Sequence, residues 1–108
     1  MFNRSVLLLA ALILSPQVLA DDSDQLCTAG GYYSGAQDQF MSDVATYVLS
    51  KRKVLGNTKC TALWQAAFPV GERITRTGNF KPEDRSIIND AQAFGLRVVS
   101  SIAKGAGY

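Results

Sequence analysis

The first 20 residues, MFNRSVLLLAALILSPQVLA, decide how much chain is left to fold and in what redox surroundings it must do so. Arg4 is the only charge before Asp21. It precedes an apolar run from Val6 to Leu14, then the helix breaker Pro16 and the ending Val18-Leu19-Ala20, the pattern of a secretory signal cut after Ala20. A run of about 9 apolar residues is about half of what a membrane-spanning helix needs. The expected product is Asp21 to Tyr108, periplasmic or secreted. No stable membrane anchor is expected after cleavage, since Asp21-Asp22 stand where a bacterial lipoprotein has its cysteine.

Taking residues 1–20 from the 108 leaves 88, enough for one small domain whose core is marginal. The chain has 2 cysteines, Cys27 and Cys60, and an even pair in an oxidising compartment predicts a disulfide. On the chain-entropy estimate, closing a loop of that length contributes roughly 3 to 4 kcal/mol, a large share of the net stability of such a domain. The pair lacks Cys-x-x-Cys spacing, so a structural staple is expected rather than a redox centre.

Histidine is absent altogether. That removes Ser-His-Asp and Cys-His arrangements, haem attachment through Cys-x-x-Cys-His, and most zinc or copper sites. Other catalytic fragments are weak. Ser50-x-x-Lys53 and Ser101-x-x-Lys104 match one element of the penicillin-recognising enzymes, but the companion elements are missing. Gly56-Asn57-Thr58-Lys59 lacks the leading glycine spacing of a phosphate loop. Glu83, Asp84 and Asp90 suit helix capping and a solvated face better than a calcium loop. No catalytic, cofactor-binding or metal-ligating residue is therefore expected.

The spacing of apolar residues predicts an all-α protein, a small bundle of three to four helices. Residues 21–33, rich in Asp and then Gly30-Gly31, are expected to form an irregular lead, and 34–108 a single helical domain. The first helix is placed near 34–55, with Tyr33, Ala36, Phe40, Val44, Tyr47 and Val48 on its stripe and Met41, Ala45 and Leu49 widening it. A second helix over 57–68 is capped by Asn57 or Thr58 and stopped by Pro69. Residues 70–77 suggest a further short turn or helix. The last helix, 82–104, starts with Pro82, Glu83 and Asp84, which suit a first turn. Its stripe runs through Ile87, Ile88, Ala91, Phe94, Gly95, Val98, Val99 and Ile102, and the row Ala91, Gly95, Val99, Ala103 should pack inside the bundle.

The disulfide strains this arrangement. A helix of about 20 residues is roughly 30 Å long, while bridged Cα atoms lie within about 7 Å. With Cys27 before the first helix and Cys60 after it, either that helix is shorter or broken, or the lead is strapped back along it.

Without Arg4 the chain carries ten bases against nine acids. The acids Asp21, Asp22, Asp24, Asp38 and Asp43 precede every base, and Lys51, Arg52, Lys53 and Lys59 follow without an acid. The basic group reads as the cationic end of a helix rather than a phosphate patch, and nucleic acid is not an expected partner outside the cytoplasm. The residues best suited to contact a partner are Tyr32 and Tyr33, with Arg73, Arg76 and Phe80. Either the tyrosine pair offers a contact surface or one of the two pins the lead to the bundle.

In size, single bridge and helical content the chain is similar to several small periplasmic families, among them acid-stress chaperones, secretion pilotins and toxin-immunity proteins. No motif residue ties it to any one of them. The expected function is non-enzymatic: a periplasmic domain that binds another protein, as an accessory of an envelope-spanning secretion or conjugation system or as a toxin-immunity factor. The alternatives are a periplasmic stress chaperone and a small histidine-independent hydrolase or lyase. Mass spectrometry of the exported protein should give a chain beginning at Asp21; a mass that includes Met1 would overturn the cleavage assignment.

Overall fold

A computed structural model describes residues 22–105, so the expected leader, its expected cleavage point and the last three residues lie outside the described residues. Four α-helices follow in order: α1 (Asp22–Gly35), α2 (Gln39–Lys51), α3 (Thr58–Thr77) and α4 (Arg85–Gly105), with a 3-10 turn over Pro82–Asp84 before the last. No strand occurs among the described residues. The protein is a small all-α bundle carrying one disulfide.

The segment expected to be an irregular lead is α1, and it is the centre of the bundle, packing against all three other helices. Every residue from Leu26 to Gly31 is buried. A helix covered on several sides has no continuous polar face, so the 3.6-residue alternation that marks a surface helix is missing from its sequence. Its residues are small instead, with Cys27, Thr28, Ala29, Gly30, Gly31 and Gly35 filling the places where neighbours approach.

That smallness has a geometric cause. Cys27 faces Cys60, Gly31 faces Trp64 and Gly35 faces Phe68, so partners advance together by four residues and α1 and α3 run parallel. A Cβ on Gly31 would lie 2.7 Å from the Trp64 Cα and closer still to its carbonyl oxygen. One on Gly35 would collide with the Phe68 carbonyl, and one on Gly71 with the Tyr32 carbonyl. Backbone packs on backbone here, which only glycine permits. The disulfide closes the same seam one turn before Gly31, with Cα atoms 5.3 Å apart.

The length conflict is resolved by a shorter second element. Instead of a helix near 34–55, α2 occupies only 13 residues, with Asp38 capping it through a 3.2 Å bond from the Met41 N–H. It lies antiparallel to α1, since Ser42 meets Ser34 at one end and Arg52 meets Asp22 and Ser23 at the other. The buried face is Met41, Val44, Ala45, Val48 and Leu49, while Phe40 and Tyr47, expected on the core stripe, are exposed. The face is rotated because α1, rather than a long partner helix, is what it covers.

Residues 57–68 and 70–77 form one helix that runs through Pro69. Proline removes one backbone donor and crowds the preceding turn. Pro69 sits on the solvent side, where water can serve the freed carbonyl, and the next two residues, Val70 and Gly71, are buried. Asn57 caps the start, accepting from the Cys60 N–H at 2.8 Å, and Gly78 in the left-handed region closes the end.

In α4 the buried positions are Ala91, Phe94, Val98 and Ser101. The row Ala91, Gly95, Val99, Ala103 is broken at Val99, which is 63% exposed; Ala91 is buried, Gly95 makes room for the Tyr33 hydroxyl, and Ala103 is half-buried. Ile102 also faces outward.

At the other end of α1 the Asp22 carboxylate is almost fully buried between two arginines. Arg52 reaches one oxygen at 2.9 Å and Arg97 reaches the other. Arg52 also donates to Ser23 Oγ at 3.1 Å and Arg97 to Gln25 Oε1 at 3.3 Å. A buried carboxylate needs such pairing, and this one ties α1 to the end of α2 and to α4.

Alanine raises helix propensity over glycine by about 1 kcal/mol, so Gly31→Ala would stabilise an isolated helix. In this crossing the added methyl should instead cost about 1–3 kcal/mol or more, read as a lower urea midpoint; an unchanged or raised midpoint would disprove the backbone contact.

Candidate functional site

Where α3 ends and α4 begins, the two helices frame a cleft of about 360 Å³ lined by Tyr32, Ile74, Phe80, Arg85, Ile88, Asn89 and Gln92. Each wall has a separate local origin. Arg85, Ile88, Asn89 and Gln92 are one face of α4, spaced three, four and seven residues from its start. Ile74 comes from the last turns of α3, Tyr32 from the hub helix, and Phe80, 58% exposed, from the connecting segment.

That segment is held by charge. Arg73 Nη1 lies 2.9 Å from Asp84 Oδ2 and also donates to the Asn79 carbonyl at 3.2 Å. The Lys81 N–H donates to the same carboxylate oxygen at 2.8 Å. The Arg73 hydrogen bond, followed by that of the Lys81 N–H, holds the Asp84 carboxyl below the ordinary carboxylate range, and the same contact raises the Arg73 guanidinium. One ion pair thus closes the turn between α3 and α4 and sets where Phe80 stands.

The tyrosine pair divides its roles. Tyr33 donates its hydroxyl to the Ala91 carbonyl at 2.9 Å, and its ring packs near Phe94 and at right angles to Tyr32. Burial, with Tyr32 and Asp38 adding to it, raises the Tyr33 phenol. Tyr33 therefore pins α1 to α4, and it is Tyr32 that reaches the cleft.

Of the residues read as partner contacts, the fold brings Tyr32 and Phe80 together in this cleft. Arg73 serves the turn through Asp84, and Arg76 is exposed on the last turn of α3 and does not line the cleft. Sequence reasoning missed Ile74, Arg85, Ile88, Asn89 and Gln92. Ile88 belongs by its spacing to the expected core stripe of the last helix, and Arg85, Asn89 and Gln92 beside it have the composition of an ordinary solvated face.

The basic group is dispersed. Arg52 is on Asp22, Lys59 lies 2.8 Å from Asp24, and the Lys51 ammonium sits 5.5 Å from the centre of the Tyr47 ring. The Ser101 hydroxyl is spent on the Arg97 carbonyl at 2.9 Å. Among the described residues no three His, Cys, Asp or Glu side chains group to hold a metal ion, and no helix is long and apolar enough to cross a membrane. No family model, no curated protein and no solved structure matches the chain.

Asp84 gives a signed pH dependence. Its lowered pKa in the folded state contributes stability that is complete above the unfolded value, about 3.9, and is lost as pH falls through the folded value. Urea midpoints of the protein and of Asp84→Asn should differ most near neutral pH, the variant being weaker, and converge in acid. A gap independent of pH would show that the carboxylate charge does not hold the turn.

Proposed function

We propose that this is a non-enzymatic, extracytoplasmic binding domain, a disulfide-stapled scaffold that presents the Tyr32–Phe80 cleft to another protein. The observation that carries this reading is the way the cleft is built. Its aromatic edge is positioned by the Arg73–Asp84 pair and its floor by the Tyr33 bond to α4, so the walls are set before any partner arrives. Preset aromatic surface costs little entropy on binding, which is why such residues act as anchors. The leader-like first 20 residues and the staple support a periplasmic or secreted location. A secretion accessory and a toxin-immunity factor both fit a domain of this kind.

A chaperone reading is favoured by a different feature. Leu96 (72% exposed), Val99 and Ile102, spaced by three, leave an apolar stripe on the outer face of α4. A hydrolase or lyase reading draws no support from the cleft, which none of Ser50, Lys53, Glu72, Asp84 and Asp90 lines.

One capture experiment separates the two binding readings. Oxidised protein immobilised against an extract of its own compartment should retain a partner that is lost with Phe80→Ala and kept with the double variant Leu96→Ser, Val99→Ser. Retention that depends on the α4 stripe and ignores Phe80 would favour a chaperone and overturn the cleft as the working surface.

A further inference from the structure

The cleft leaves a specific set of polar groups unspent. Arg85 has no ion pair among the described residues, and the side-chain amides of Asn89 and Gln92 and the Tyr32 hydroxyl have no hydrogen bond there. No carboxylate lines the cleft, so Arg85 is its one charge. Beside these groups stand three apolar side chains, Ile74, Phe80 and Ile88. The arrangement is that of a site with an anionic end, an amide-bonding middle and an apolar pocket.

Resting on the reading of this cleft as a protein-binding surface, we infer that it captures the C-terminal residue of a partner polypeptide. The terminal carboxylate takes the Arg85 guanidinium, which presents paired donors to both of its oxygens. The terminal side chain enters between Ile74, Phe80 and Ile88. The last peptide group, with one donor and one acceptor, is matched by the Asn89 and Gln92 amides, each of which offers both. Chain termini are among the groups that peptide-binding surfaces recognise, and here a guanidinium supplies the paired donors that a terminal carboxylate takes.

Size and charge decide against other occupants. A volume of about 360 Å³ is near the bottom of the range for ligand pockets, about 300–1,000 Å³, and suits one residue with its terminus rather than a cofactor. A phosphate group would find a single arginine and no second cation in the lining. An internal peptide segment would leave Arg85 without a counter-charge unless an acidic residue lay beside the anchor.

The test is a titration of the oxidised, isotope-labelled protein with tetrapeptides ending Gly-Gly-Phe, Gly-Gly-Leu and Gly-Gly-Val, each as free acid and as C-terminal amide. At least one free acid should shift the Asn89 and Gln92 side-chain amide signals, and amidation should weaken it at least tenfold. Arg85→Gln, an exposed and structurally mild change, should lower the free acid to the level of the amide. An internal Asp-Phe peptide with a blocked terminus and 3-phenylpropanoate should each bind at least tenfold more weakly than the best free acid.

Equal binding of acid and amide, a preference that survives Arg85→Gln, failure of all three free acids, or parity with either control would overturn C-terminal capture. These results are separable from the broader reading. A captured partner that still depends on Phe80 while acids and amides bind alike leaves the binding domain standing without its terminus specificity.

Discussion

The rest of this structure depends on the parallel crossing of α1 and α3, where Gly31 and Gly35 lie against the backbone of Trp64 and Phe68 and Gly71 lies against that of Tyr32. Contact at this distance leaves no room for side chains between the axes, so the two helices act as one element. The Cys27–Cys60 bridge closes the end of the same seam. Its stabilisation and that of the close contact therefore reinforce each other. The bridge limits the unfolded chain, and the glycine seam removes apolar surface such as the Trp64 ring from water, with Gly30 lying directly under that ring.

With that pair set, the other two helices have little freedom. The antiparallel α2 covers one side of α1 with Met41, Val44, Ala45, Val48 and Leu49, and α4 covers another with Ala91, Phe94 and Val98. Polar contacts mark the ends of the assembly: Asp22 between Arg52 and Arg97 at the start of α1, and Arg73 with Asp84 at the turn from α3 to α4. The cleft appears where α3 and α4 separate beyond that turn. It is a by-product of the hub, since Tyr32 reaches it only because α1 lies beneath both helices and Tyr33 is bonded to Ala91.

Much of the fold was legible in the residues. Surface helices with one wet face announce themselves, and so α4, with Pro82 and two acids at its start, and the Asn57 cap of α3 were read close to where they stand. Pro69 misled because its cost is a local property, whereas its tolerance depends on its exposed position and on Gly71, two residues on, being held against α1. The glycines of α1 misled for the same reason. They weaken an isolated helix by about 1 kcal/mol each, and only a partner backbone makes them an advantage. Of the site, the aromatic members Tyr32 and Phe80 stood out as residues with no evident core role. The α4 wall did not, because Arg85, Asn89 and Gln92 have the composition of any solvated helix face.

Residue identities alone determined the helical class, the number of cysteines and their pairing, and the absence of histidine chemistry, because each of these follows from composition, local periodicity or a single pair. Only the tertiary structure decided that the glycine-rich segment is the central helix, that Asp22 at its start meets Arg52 and Arg97 from far along the chain, and that Tyr32 and Phe80 share a cleft with Arg85. The physical reason is that burial and close approach are properties of pairs of elements. A helix with no continuous wet face carries little signal of its own until the backbone that packs against it is in place.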